Sequence, residues 1–168
     1  AKNAAPVCAA FVAKGLSGKP TTVKTLIECC MHIIELEGSE ALVESMIKAF
    51  SNKVAKVVVA ALDTLLAAVS GFGSKVIQCK PIIKALPPLF ENKDKNVRAK
   101  TKELTVVLVQ WIGAGVVRPM LVEKMRDTAQ KEVDAMIEGV GDAKGKATRF
   151  TRKEQAAIAE AEAARAAA

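Results

Sequence analysis

The sequence predicts an all-α fold, an α-solenoid of HEAT-type repeats, and three observations predict it. Apolar residues recur at helical spacing along nearly the whole chain. Glycines punctuate these runs 35 residues apart (Gly38 to Gly73) and then 40 apart (Gly73 to Gly113). Each glycine is followed within a few residues by another apolar helix. The repeating unit is therefore helix, short loop, helix, glycine turn. Units of this length with two helices each stack into a solenoid, because one unit alone cannot bury its apolar face.

Taken in order, a partial helix over Pro6–Leu16 comes first. A helix from about Thr22 to Leu36 follows and stops at Gly38, a residue that takes the left-handed conformation at a helix end without steric cost. Ser39–Phe50 carries Leu42, Val43, Met46, Ile47 and Phe50 on one face. From about Val54 to Val69, the positions Val54, Val57, Val58, Ala61, Leu62, Leu65 and Val69 keep the i, i+3, i+4, i+7 rule, and Gly71–Gly73 ends the run. Lys75–Phe90 is the next helix, bent or broken by Pro81, Pro87 and Pro88. Asn96–Ile112 has the stripe Val97, Thr101, Leu104, Val107, Leu108, Trp111 and Ile112 and stops at Gly113. Trp111 lies on that stripe and reads as core, as do Leu62, Leu65, Leu104 and Leu108. Pro119–Glu138 is a final apolar helix. No segment alternates apolar and polar residues in the manner of a hairpin. A tetratricopeptide array fits less well, since the period varies and its tryptophan and tyrosine positions are not filled.

The remaining residues differ. Gly139–Thr148 is rich in glycine and lysine and reads as a linker, while Lys153–Ala168 holds strong helix formers with almost nothing large and apolar to bury. The organisation expected is a HEAT-repeat domain over residues 1–138, then a basic linker and an alanine-rich, helix-forming tail over 139–168.

Composition excludes several classes. With 51% hydrophobic residues the chain is too apolar for disorder throughout. Its greasiest stretch, Val54–Val69, is interrupted by Lys56 and Asp63 and falls short of the roughly 20 residues of a membrane span, so no membrane partner is expected. No basic-then-apolar leader with a cleavage site is visible. Cys8, Cys29, Cys30 and Cys79 all fall in apolar helical patterns and read as buried free thiols of a reducing compartment. No catalytic set emerges. The single histidine, His32, sits beside Met31 and Ile33 with no acid partner suggested and reads as structural. There is no C-x-x-C or H-E-x-x-H, so no metal is expected. Gly139–Ala147 misses a phosphate loop in both its glycine spacing and Ala147, which stands where a magnesium-holding hydroxyl is needed. The expectation is a binding protein without cofactor, not an enzyme.

The charge points to the partner. Lys and Arg number 25 against 18 Asp and Glu, a net charge of +7, which favours an acidic surface. The loop between paired helices is basic in each unit: Lys19 in the first, Ser51–Lys56 with Lys53 and Lys56 in the second, and Glu91–Arg98 with Lys95 and Arg98 in the third. Equivalent loops stack on one edge of a solenoid, so these loops become one stripe. Arg98 lies in the first turn of its helix, where the dipole disfavours a cation, and this favours a binding role for it. Nucleic acid is a rival partner, but no aromatic residue interleaves with the loop lysines to stack a base. Another acidic protein, or a peptide on the concave surface, is the further alternative.

Several segments together resemble a known domain. These are Phe72–Ile77, Lys80–Pro87, Lys95-Asn96-Val97-Arg98-Ala99 and Trp111-Ile112-Gly113. They resemble the first TOG domain of the microtubule polymerase family that includes ch-TOG. Asn52–Lys56 and Glu123–Thr128 look closest to its plant and algal members, the Microtubule Organization proteins. The resemblance covers roughly residues 1–138, and Thr148-Arg149-Phe150 is similar to the segment that follows the domain. It implies a paddle of six HEAT repeats that binds the alpha-beta tubulin heterodimer through intra-repeat loops. It also implies a cytoplasmic location on the cytoskeleton, on microtubules of the spindle or the cortical array. The tubulin-binding residues it implies are Lys19 in the third loop, Lys53 and Lys56 in the fourth, and Lys95 and Arg98 in the fifth. The family's first loop carries a tryptophan that docks on beta-tubulin. Trp111 is not its counterpart, and the chain reads as the C-terminal half of the domain.

Overall fold

The computed structural model describes residues 2–168, and among them regular structure is helical. The helices are α1 (Ala4–Ala10), α2 (Pro20–Glu35), α3 (Ser39–Ala49), α4 (Ala55–Phe72) and α5 (Cys79–Ala85). They continue with α6 (Pro87–Phe90), α7 (Lys95–Ile112), α8 (Ala114–Val122), α9 (Asp127–Val140) and α10 (Arg152–Ala167). A wider helical turn over Phe11–Gly15 prolongs α1.

Two layers result. In one, α1 packs on α3, α3 on α5, and α5 on α8; in the other, α2 packs on α4, α4 on α7, and α7 on α9. Each pair from opposite layers is one helical hairpin, so four hairpins stack in a row. Leu62, Leu65, Leu104 and Leu108 are all fully buried, as expected, and belong to one continuous core. The long central helix α4 has an 18-residue window of mean hydropathy 1.7, long and apolar enough to cross a membrane by length and composition. It ends three residues beyond the Val69 that the apolar stripe predicts. Within the fold, 61% of that window is buried against neighbouring helices.

Three boundaries differ from expectation. The proline-rich helix is broken, as its prolines lead one to expect, but it starts later: residues 74–78 form a turn, and α5 ends at Ala85 before α6 restarts at Pro87. Pro87 has no N–H to continue α5, and it fits the first position of a new helix, where none is needed. The last apolar helix is a complete hairpin, α8 and α9, joined by Glu123–Arg126; α8 begins directly after Gly113 and keeps Pro119 within it. At the end of α2 the left-handed residue is Glu37 (φ 65°), not Gly38. The amides of Glu37 and Gly38 donate to the carbonyls of Ile34 and Ile33, both at 2.9 Å, which closes the helix end. Gly38 is needed for space, since a Cβ there would lie 2.5 Å from the Ile33 side chain.

Beyond α9 the chain does not leave the fold. After a turn at 141–142 the chain runs back without regular structure across the second layer, and Thr151 opens α10 with a reciprocal capping box to Glu154. Helix α10 has no buried residue, as its composition foretold. Trp111 is half-buried between this returning segment and Gly73, not enclosed by the helices alone. Cys8, Cys30 and Cys79 are buried, but Cys29 is exposed, contrary to the sequence reading. Cys29 and Cys30 are neighbours on one helix and must face different directions.

Candidate functional site

The four hairpin loops are 16–19, 50–54, 91–94 and 123–126. The two helices of a hairpin are antiparallel, so all four loops emerge at one edge, at the first turns of α2, α4, α7 and α9. Their neighbours confirm the order. Gly18, Lys24 and Lys56 border the groove between α2 and α4. Lys56, Asp94 and Asn96 border the next groove, between α4 and α7. Arg126 Nε lies 3.6 Å from Glu91, which brings the fourth loop against the third.

Two of the loops share one backbone device. The Asn52 side-chain oxygen accepts from the Val54 amide at 2.9 Å, and the Asn92 oxygen accepts from the Asp94 amide at 2.9 Å. Such a turn is what asparagine offers, mimicking a backbone bond with its side chain. It holds Lys53 and Lys93 at equivalent apices, both exposed. The geometry pairs Lys53 with Lys93 and places Lys95 at the first residue of α7. The Asp94 carboxylate then caps α7, accepting from the amides of Asn96 at 2.7 Å and Val97 at 3.2 Å.

The residues read from the sequence are found as follows. Lys19, Lys53, Lys56 and Lys95 are exposed along the edge, and none of them forms an ion pair among the described residues. Their ammonium groups face solvent with their charge unspent. Arg98 differs. It is half-buried, and its Nη1 donates to the carbonyls of Asn92 at 2.6 Å and Lys93 at 3.0 Å. The guanidinium thus reaches back past the start of α7 to two carbonyl oxygens, whose negative ends offset the penalty inferred from its position in the sequence. The sequence reading missed Lys124 and Arg126, both exposed on the fourth loop. The signal was the run Glu123–Asp127, five residues with four charges inside an otherwise apolar pattern.

Just inside the edge, Lys100 Nζ bridges α7 to α4. It lies 3.1 Å from Asp63 and 2.9 Å from Glu103 on its own helix. These bonds, that to Glu103 foremost, raise the Lys100 pKa above its ordinary value and keep it charged. The bridge joins the two helices that carry the second and third loops.

No group of three or more His, Cys, Asp or Glu is gathered for a metal among the described residues. His32 does have acid partners, which sequence inspection did not suggest: Glu35 at 2.9 Å from Nδ1 and Glu28 at 3.8 Å from Nε2. All three lie on α2 one turn apart, where i, i+3 and i, i+4 side chains meet.

Comparison with known proteins agrees with this architecture. Residues 1–137 match the family model described as XMAP215/Dis1/CLASP, TOG domain. Protein MOR1 of Oryza sativa subsp. japonica is 47% identical over 154 residues, covering 92% of this chain and 8% of that protein. Protein MOR1 of Arabidopsis thaliana is 45% identical over 162 residues, covering 96% of this chain and 8% of that protein. The chain thus spans less than a tenth of the length of these relatives. A solved structure superposes with a TM-score of 0.78 at 24% identity, covering 92% of this chain and 33% of its own. It concerns tubulin recruitment and assembly by microtubule polymerases with tumor overexpressed gene (TOG) domain arrays, and the likeness to it shows the paddle fold.

Proposed function

The chain belongs to the XMAP215/Dis1/CLASP TOG-domain family, and on that premise we propose that its loop edge binds the alpha-beta tubulin heterodimer, within a protein that promotes microtubule growth and organisation. The observation that carries this reading is the row of adjacent loops with unpaired cations: Lys19, Lys53, Lys56 and Lys95, with Arg98 bracing the third loop from inside. Charges held in a line on a rigid edge steer an acidic partner and fix its register. The domain that performs this is the HEAT-repeat body of residues 1–138, whose last helix, α9, runs on to Val140. It acts as a binding module on the cytoplasmic microtubule cytoskeleton and needs no cofactor.

The test is co-elution of the chain with tubulin, and separately with single- and double-stranded DNA and RNA. Tubulin binding lost on combined Lys53→Glu and Lys56→Glu substitution is the expected result. Binding to nucleic acid but not to tubulin would overturn the reading. The one aromatic residue in the four loops, Phe50, is half-buried and packed against the core, so it offers bases little to stack on, which favours the protein partner.

A further inference from the structure

The segment 141–151 lies beyond the part of the chain that the family model matches, yet it is bonded into the paddle. It crosses the second layer from α7 to α4 to α2. The Gly145 amide donates to the Gln110 carbonyl at 3.1 Å. The amides of Thr148 and Arg149 both donate to the Gly71 carbonyl at 2.9 Å. Gln110 and Gly71 stand in the last turns of α7 and α4, where carbonyls have no partner within the helix. The Arg149 guanidinium then reaches α2. It forms a two-pronged bond with Glu28, one arm of it 3.2 Å long, and its Nε lies 3.5 Å from Glu35.

The indole of Trp111 fits this crossing. A Cβ built at Gly145 would lie 2.3 Å from the ring, and one at Gly73 would lie 2.4 Å from it. The ring is therefore held between two glycines, one on the body and one on the crossing segment. The match to the Arabidopsis relative covers 96% of the chain and so spans this segment too.

We propose that residues 141–151 form a clasp that sets the relative placement of the basic loops, with Arg149 as its positioning residue. In a solenoid each repeat touches only its neighbours, so small tilts add from repeat to repeat. Helices α2 and α7 are not neighbours, and α4 lies between them. The clasp ties both to α4 and to each other through one short stretch of backbone. The loops of the first and third hairpins extend from the other ends of those same two helices. The clasp thereby limits the spread of the edge on which Lys19 and Lys95 sit.

The link from loop placement to affinity rests on the tubulin reading above, and the experiment separates the two. Spin labels are placed at Ser17→Cys and Asn96→Cys in a Cys29→Ser background, and their separation is measured by pulsed electron resonance. Tubulin affinity is measured on the same proteins. Arg149→Ala and Gly145→Val are the variants, and Arg149→Lys is the conservative control. Both substituted residues lie outside the hairpins, and retained helical circular dichroism checks that the hairpins stay folded while Gly145→Val displaces the Trp111 ring. The expected result is a broadened distance distribution with affinity lowered about 3- to 10-fold in both variants, and with Arg149→Lys recovering only part of each, since one ammonium keeps the charge but not the two-pronged bond. An unchanged distance distribution overturns the clasp, even if affinity falls, because Arg149 would then touch the partner directly. A broadened distribution with unchanged affinity overturns its role in binding. If the unaltered chain does not bind tubulin, the functional reading fails, and the distances still decide the clasp.

Discussion

The Arg98 guanidinium donates to the Asn92 carbonyl at 2.6 Å and so closes the third basic loop from within. One cation of the edge is therefore spent on holding the others in place. Arg98→Ala should weaken tubulin binding more than Lys93→Ala, although Lys93 is the more exposed of the two. Arg98→Lys should recover part of the loss, because one nitrogen, Nη1, makes both bonds and an ammonium also carries several donors, on a shorter side chain. Losing such charged hydrogen bonds costs on the order of 1–2 kcal/mol in loop order at a half-buried site. Amide hydrogen exchange at residues 92–94 should speed up in Arg98→Ala and stay unchanged in Lys93→Ala. Equal losses of affinity in the two variants would favour diffuse attraction over a held loop.

The fourth loop makes a separate expectation. Lys124 and Arg126 extend the edge by one repeat, and Arg126 is held only loosely, 3.6 Å from Glu91 with most of its side chain in solvent. Combined Lys124→Glu and Arg126→Glu substitution should lower affinity by about 0.5–2 kcal/mol, the range of two exposed rim charges. An isotherm identical to that of the unaltered chain would confine the binding edge to the first three loops.

Binding by the chain alone should be weak and strongly dependent on salt. Its loop cations are exposed, each contributing about 0–1 kcal/mol, and the edge holds no tryptophan or tyrosine to anchor an interface. The screening length shortens from about 10 Å at 0.1 M to about 3 Å at 1 M salt, and steering falls with it. Nor should the chain accelerate plus-end growth by itself, since that gain comes from linking several sites at high local concentration. Isotherms at two salt concentrations beside a growth assay check both points.

The thiols should separate cleanly. Cys29 is exposed, whereas burial pushes Cys30 up to about 12 and Cys79 up to about 11 and also raises Cys8. A thiolate is the reactive form, so a disulfide reagent at pH 8 should titrate one cysteine quickly and the other three only on unfolding. Fast reaction of two or more in the native state would contradict the packing around α1 and α2.

Acid should release the clasp before it melts the helices. The bond to Arg149, first among its causes, holds the Glu28 carboxyl below its ordinary value of 4.5; Glu35 and His32 also face this pair. A depressed folded-state value means that the contribution is present above the ordinary value and is lost as pH falls through the folded one. The clasp should therefore survive at pH 4.5 and open below it. Trp111, the single tryptophan, reports this directly through its contact with Gly145. Its emission should move to the red below pH 4.5 while the far-ultraviolet helical signal persists. A red shift already complete at pH 5 would show that Glu28 does not hold the clasp.

Helices, their pairing and their core were legible in the chain itself. The stripe through Leu62 and Leu65, the stripe through Leu104 and Leu108, and the glycine stops at Gly73 and Gly113 are local patterns, and each implies a buried face or a chain reversal wherever the segment sits. The stacking of basic loops followed from the same repeat. The hairpin hidden in Pro119–Glu138 was not legible, because its loop carries charge and no glycine or proline. Tertiary structure alone decided what distant residues do to one another. Gly139–Thr148 has the composition of a free linker, yet Gly145 within it is where an indole from α7 comes up against the backbone. Arg149 and Glu28 are 121 residues apart, and no period in the sequence joins them. Helix periodicity is set by each segment's own burial, whereas a clasp depends on carbonyls and carboxylates that meet only after the repeats have stacked.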